Sequence, residues 1–434
     1  NAVISHNSDR LGKELWTDGG HGEPIRVYAG FNEVDEARFI AGKVESLAQE
    51  GMARREMAVL YRSNAQSRVL EEAFLQAGIP YRIYGGQRFF ERAEIKNAMA
   101  YLRLIQTRDN DAALERVINL PARGIGEKTV DSLRQLAREQ GLSLWAALHQ
   151  AVGTKAVSGR AASALNAFVE LIDSLALKVE KLPLHSMAQA VIEDSGLLAY
   201  HRDEKGDKAQ ARVENLEELV SAARAFDSYN EEDDSVQSPL AAFLDHASLE
   251  AGEQQAGEHE DSVQLMTLHS AKGLEFPLVF LVGMEEGLFP HKMSLEESGR
   301  LEEERRLAYV GITRAMQQLV ITYAETRRLH GSETYNKVSR FVREIPPALI
   351  QEVRLNNTVS CTFAGRSMSG ASLFAGAGVP ETPFALGQRV RHSLFGEGTI
   401  LNFEGAGAQA RVQVNFESEG SKWLMLSYAK LEAL

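Results

Sequence analysis

Residues 277–283, PLVFLVG, carry no polar side chain. A strand of that composition is buried on both faces, which is the place of an inner strand in a parallel sheet covered by helices. Other segments fit around it. IRVYAG (25–30), MAVLYR (57–62), PYRIYG (80–85), SVQLMTL (262–268) and QQLVITYAE (317–325) read as strands. NEVDEARFIAGKVESLAQ (32–49) and NAQSRVLEEAFLQA (64–77) read as helices, at the spacing that parallel crossovers need. Between about 87 and 259 strand signals nearly vanish, replaced by helical patterns such as EIKNAMAYLRLI, KTVDSLRQLAREQ and RVENLEELVSAARAF. The economical arrangement is one α/β domain interrupted by an all-helical insertion.

This gives expected boundaries: an α/β domain from 1–86 and 260–352, an inserted helical domain at 87–259, a Ser/Gly/Ala-rich flexible linker at 353–385, and a small β-barrel at 386–434, where strand-like runs alternate with glycine turns. The 434 residues suffice for several cores. No apolar run is long enough to span a bilayer and the first residues lack a secretory h-region, so a soluble cytoplasmic chain without membrane partners is expected. Cys361 is the single cysteine, which excludes an internal disulfide and fits a reducing compartment. A net charge of −13 argues against wholesale attraction to nucleic acid and requires local surfaces for any such binding. The acidic runs at 230–234 and 250–261 read as solvated connectors.

Three motifs carry candidate chemistry. In EEERRLAYVGITRA (302–315), Leu301, Ala308, Ile312, Ala315, Met316 and Leu319 share one helical face, with Arg314 roughly opposite. The three glutamates suit a helix N-terminus, and Gly311 and Thr313 weaken the helix just before Arg314. In MTLHSAKGLEF (266–276), Thr267, His269, Ser270 and Lys272 cluster at the carboxyl end of a strand, where open α/β sheets bind ligands. Gly273 permits close backbone approach there, and Glu275 offers acceptors to a sugar hydroxyl. In RGIGEKT (123–129), Glu127 separates Gly126 from Lys128 and no buried strand precedes, so it is not a nucleotide phosphate loop. It reads either as a hairpin whose N–H groups meet a DNA phosphate, or as a plain helix-to-helix turn.

TLHSAKGLEF followed by EEERRLAYVGITRA resembles motifs V and VI of superfamily 1 DNA helicases of the UvrD/PcrA type, and AVLYRSNAQSR (58–68), RIYGGQRFFERAEIK (82–96), the RGIG hairpin and GQRVRHSLFGEGTI extend the resemblance over essentially the whole chain. The resemblance implies that the α/β domain is the second RecA-like domain of a 3′-to-5′ ATP-dependent DNA helicase of DNA repair. Arg314 would be the arginine finger on the γ-phosphate of ATP, with Gly273 and Glu275 beside the nucleotide. Thr267, His269 and Ser270 would touch single-stranded DNA, and Arg62 the DNA backbone. Gly124, Gly126 and Thr129 would belong to a duplex-gripping hairpin. ETRRLHGSETYNKVSRF (325–341) would be the hairpin that splits base pairs at a single-strand/duplex junction, with His330 where the family carries Tyr or Phe. The terminal barrel resembles a Tudor-like domain that contacts RNA polymerase, and repair proteins are further implied partners.

ATP and Mg²⁺ would be held mainly by an amino-terminal RecA-like domain, since no phosphate-loop lysine, Asp-Glu pair or adenine-reading glutamine motif is read here. The chain is therefore expected to be half of a composite ATPase and inactive in hydrolysis by itself. Two other readings stay open: an ATP-independent DNA and RNA polymerase adaptor, and a subunit of a RecB/AddA-type helicase–nuclease.

Overall fold

Seven strands form one parallel sheet in the computed structural model: β1 (Ile25–Gly30), β2 (Met57–Tyr61), β3 (Tyr81–Ile83), β4 (Val263–Thr267), β5 (Phe276–Leu281), β6 (Ala315–Ala324) and β9 (Ile350–Glu352), in the order β3-β4-β2-β5-β6-β1-β9. This is a RecA-like α/β arrangement. The structure describes residues 1–7, 15–16, 22–154, 157, 159–204, 206–230, 238–252, 256–257, 260–296, 299–329, 332–353, 384, 388–392, 396–404, 411–416, 420–425, 429 and 431–433. The chain divides into two compact units, Asn1–Arg354 and Leu355–Leu434.

The central strands are buried on both faces, as their composition requires. Met57, Val59 and Tyr61 of β2 and Leu278 and Phe280 of β5 point into one core with Ile40 and Val44 of α1 (Glu33–Gln49) and Phe74 of α2 (Ser67–Gln76). Ala58 and Leu60 with Val279 and Leu281 enter the opposite core, together with Ala308 of α13 (Arg300–Ile312) and Phe341 of α14 (Arg340–Arg343). The α1 helix starts where the Asn32 side chain accepts the Asp35 amide, with acids filling the first turn.

Between β3 and β4 the described residues form nine α-helices: α3 (Ala93–Gln106), α4 (Asp111–Val117), α5 (Glu127–Gln140), α6 (Leu144–Gly153), α7 (Gly159–Val179), α8 (Leu184–Asp194), α9 (Leu197–Asp203), α10 (Asp207–Asn230) and α11 (Pro239–Gly252). They share one core containing Tyr101, Phe168, Ile172 and Leu216. A short α12 (Lys292–Glu296) precedes α13, and a two-stranded hairpin, β7 (Thr326–Leu329) with β8 (Ser332–Tyr335), follows β6. Among the described residues no helix is long and apolar enough to cross a membrane.

The helical face running from Leu301 to Leu319 is corrected by the structure. The helix ends at Ile312, and Ala315, Met316 and Leu319 lie on β6. Arg314 therefore sits in the turn between them and not on the far side of a helix. Thr313 N–H closes on Tyr309 O and Arg314 N–H on Gly311 O, after which the β-branched run of residues 320–322 extends the chain. The glutamates also differ from a solvated row, because Glu304 is buried. Of the acidic connectors, 231–237, 253–255 and 258–259 lie outside the described residues, as does nearly all of the expected linker.

In the second unit β10 (Arg389–His392), β11 (Gly396–Glu404), β12 (Arg411–Phe416), β13 (Gly420–Met425) and β14 (Leu431–Ala433) form an antiparallel sheet in the order β13-β12-β11-β10-β14. Val390, Ile400, Val412 and Val414 make its core. Closure into a barrel is not found among the described residues.

Two interactions can be tested by stability. A Cβ at Gly311 would lie 2.5 Å from Leu268 Cδ2 and 3.2 Å from Leu281 Cδ1, so α13 packs against β5 and the segment after β4 only because glycine stands there. Gly311→Val is expected to lower unfolding free energy by about 1–3 kcal/mol in urea titrations, through overpacking. Asp261, where the chain returns from the helices to β4, accepts Arg55 N–H at 2.9 Å and Arg54 N–H at 3.0 Å. Burial pushes its carboxyl up, and these bonds together with the two arginine charges overcome that push and hold it below the usual range. Its contribution to stability is thus present above the unfolded carboxyl pKa of about 3.9 and lost as pH falls through the lower folded value. The stability gap between the parent and Asp261→Asn is expected to be widest near neutral pH and to close on acidification.

Candidate functional site

The route from β4 to β5 sets the geometry. Both strands run parallel to β2, which lies between them, so residues 268–275 must return from the carboxyl edge of the sheet to its amino edge. They do so in consecutive turns: Ser270 and Ala271 N–H close on Thr267 O, and Leu274 N–H on Ala271 O. Leu268 and Ala271 are fully buried in the core that also takes α13. The single segment TLHSAKGLEF consequently delivers its first residues to one edge of the sheet and its last to the other.

At the carboxyl edge Thr267 pairs in register with Tyr61, and Arg62 follows directly. The Thr267 and Ser270 hydroxyls lie 3.0 Å apart, and Ser270 N–H also reaches Thr267 Oγ1. His269 stands between them in the chain. Arg62 forks onto Glu304 of α13, Nε at 3.0 Å and Nη2 at 2.8 Å from Oε1. Glu304 also accepts His291 N–H at 3.1 Å, which satisfies a carboxylate that burial would otherwise penalise. Sequence reasoning missed Glu304, although it stands one helical turn from both Leu301 and Ala308 and so belongs to the core stripe.

At the amino edge, Phe276 N–H bonds Arg314 O at 2.9 Å, which fastens the start of β5 to the turn before β6. The Arg314 guanidinium is held by neutral acceptors: Nη1 to Leu274 O at 2.8 Å, Nε to Val310 O at 3.1 Å and Nη2 to Thr313 Oγ1 at 3.2 Å. Three of five N–H donors are so used, leaving two. On the preceding helix, Arg305 is paired with Glu344 and Arg306 with Glu303, whereas Arg314 forms no ion pair among the described residues. Gly273, at φ +89°, adopts a conformation that side chains disfavour, and a Cβ there would meet nothing within 4 Å. Glu275 is exposed beside it. The fold therefore brings Gly273, Glu275 and Arg314 to one edge, and Arg62, Thr267, His269 and Ser270 to the other.

The remaining candidates lie elsewhere. Gly124, at φ +79°, and Gly126 sit between α4 and α5, in a loop organised by Asn119 Oδ1, which accepts Arg123 N–H at 2.7 Å and Ile125 N–H at 3.2 Å. Gly126 is the N-cap residue of α5, and its carbonyl accepts Thr129 N–H at 2.9 Å. Neither glycine has a neighbour within 4 Å of a Cβ position, so the backbone is open to approach. His330 lies outside the described residues. No group of three or more His, Cys, Asp or Glu among the described residues is placed to hold a metal ion.

Residues 1–326 match the UvrD-like helicase C-terminal domain, and residues 386–432 the PcrA/UvrD tudor domain. Over the whole chain the sequence is 58% identical to DNA helicase II of Escherichia coli (strain K12) and 52% to DNA helicase II of Haemophilus influenzae, in each case covering 59% of the relative. It is 38% identical to the ATP-dependent DNA helicase PcrA of Bacillus subtilis (strain 168), covering 60% of it. The chain thus spans about three-fifths of the length of these relatives. With a match over most of its length, the chain belongs to the UvrD-like helicase C-terminal domain family.

Proposed function

We propose that this chain supplies the second RecA-like half of an ATP-dependent DNA helicase that moves 3′ to 5′ in DNA repair, with the sheet domain at 1–86 and 260–352, the helical insertion at 87–259, a linker at 353–385 and the tudor domain at 386–434. The observation that carries this reading is the uncompensated charge of Arg314. An arginine held rigidly by three neutral acceptors, with two N–H donors to spare, is aimed at an anion from outside the chain. A nucleotide triphosphate bound on a facing amino-terminal RecA-like domain meets that need. ATP and Mg²⁺ are held mainly by that domain, and Gly273 and Glu275 adjoin the nucleotide from this side. Bound ATP supplies the phosphoryl chemistry; the role of Arg314 is to neutralise charge on the terminal phosphate, worth about 10³ to 10⁵ in rate.

The opposite edge takes single-stranded DNA. The Thr267 and Ser270 hydroxyls and the His269 imidazole offer donors to phosphates, and Arg62 keeps Nη1 beyond its fork with Glu304. The backbone at Gly124, Gly126 and Thr129 opens α5 toward a duplex phosphate. The segment 325–341 is the proposed strand-separation element at the single-strand/duplex junction, and His330, outside the described residues, is the side chain assigned there to stack on a base in place of a larger ring. The tudor domain is the candidate contact for RNA polymerase, and repair proteins are further partners. A purely adaptor role gives Arg314 nothing to do.

The test is ATP hydrolysis by the chain with and without single-stranded DNA, before and after adding the separately produced amino-terminal RecA-like domain of Escherichia coli DNA helicase II. Activity is expected only on mixing, and Arg314→Ala is expected to reduce kcat by about a thousandfold or more while single-stranded DNA affinity holds. Hydrolysis by the chain alone, or an Arg314→Ala mixture as active as the parent, would refute the reading.

A further inference from the structure

Among the described residues the β7–β8 ladder belongs to no larger sheet: Thr326 pairs with Tyr335, Arg327 with Thr334, Arg328 with Glu333 and Leu329 with Ser332. A two-stranded ribbon of this length does not hold its own orientation. Its root, however, is gripped by one carboxylate. Glu285, completely buried four residues beyond β5, accepts Ala324 N–H at 2.8 Å, Arg327 Nε at 3.0 Å and Nη2 at 2.6 Å, and Asn336 Nδ2 at 2.9 Å. These donors come from just before the hairpin, from its first strand and from just after its second.

Arg327 in turn donates from Nη2 to Glu36 of α1. Glu36 is anchored to the sheet, accepting the Thr322 hydroxyl at 2.6 Å and Gly283 N–H at 3.0 Å. Arg327 is 5% exposed and Glu36 1%, so one guanidinium is buried between two carboxylates. Burial pushes the Glu36 carboxyl up, whereas at Glu285 the Arg327 charge and the converging donors overcome the same effect and hold it down. Such a cluster is a poor source of stability, because apolar residues of equal volume usually do as well. What apolar contacts would not supply is a fixed direction, since the fork of Arg327 engages Glu36 of α1 and Glu285 of the segment after β5 at once, and both carboxylates are bonded to β6.

We propose that Arg327, with Glu285 and Glu36, is the positioning residue that sets the angle of the β7–β8 hairpin to the sheet, and that opening of base pairs at a DNA junction depends on this clamp while the grip on single-stranded DNA does not. The second half rests on the helicase reading above; the first does not. Arg327 touches no substrate and acts through the strand that bears it.

The test uses the chain spin-labelled at Tyr335→Cys and Glu45→Cys with Cys361→Ser, read by pulsed dipolar spectroscopy. The same backgrounds, mixed with the separately produced amino-terminal RecA-like domain of Escherichia coli DNA helicase II and ATP, are assayed on a forked DNA with 2-aminopurine in its first pair, and for affinity to oligothymidylate. A narrow distance distribution is expected for the parent and a broadened one for Arg327→Gln, not restored by Arg327→Lys because an ammonium cannot fork. Combining Glu36→Gln and Glu285→Gln with Arg327→Gln leaves no unpaired buried charge, so it gives the same reading should the single variant fail to fold. Junction opening is expected to fall about tenfold through lost alignment. Oligothymidylate affinity, which the proposal assigns to Arg62, Thr267, His269 and Ser270 and to none of the clamp residues, should stay within about twofold. Unchanged distributions in every variant would overturn the clamp. Broadened distributions with junction opening intact would keep the clamp and remove the strand-separation role of the hairpin.

Discussion

A parallel sheet forces every connection to travel from one edge back to the other, and in this chain the shortest such connection carries the chemistry. Residues 268–275 pass β2 without a helix of their own. Leu268 and Ala271 are buried beneath α13, so the segment has little freedom and the helix bearing the turn at Arg314 is built against it. Displacing that segment would move the hydroxyl groups at one edge and the backbone that tethers Arg314 at the other. In the proposed motor this is a direct physical link between nucleotide and DNA, made by packing and a few backbone hydrogen bonds.

Charge is placed with the same economy. The chain is acidic overall, at −13, yet its chemistry turns on a few guanidinium groups whose partners differ. Arg62 and Arg305 are forked onto buried or half-buried carboxylates and brace α13 from both sides. Arg327 is divided between two carboxylates and braces the hairpin. Arg314 alone of these four is held only by carbonyl and hydroxyl oxygens. Neutral acceptors fix its direction without cancelling its charge, which is what a group acting on an external anion requires.

Much of this was legible in the sequence, and the failures have physical causes. Residues 25–30 form β1 with the bounds expected from IRVYAG, and PLVFLVG lies in an inner strand, because apolar content and β-branching agree there. The α13–β6 junction was misread because Ala315, Met316 and Leu319 happen to continue a 3.6-residue period into a strand. Glu304 and Arg327 look like surface charges in EEERR and ETRR, since a sequence does not display partners hundreds of residues away. Glu285 is likewise unremarked in a loop until the hairpin folds back on it. Gly273 and Gly124, by contrast, could be read as backbone requirements, and both have positive φ.

The division of the sheet into two working edges is the central claim, and amide hydrogen exchange on the chain saturated with oligothymidylate tests it most directly. Slowed exchange is expected at the carboxyl edge, in peptides covering 61–67 and 266–271, with 312–316 and the start of β5 unaffected. Protection at 312–316 with none at 266–271 would place DNA on the amino edge and contradict the account.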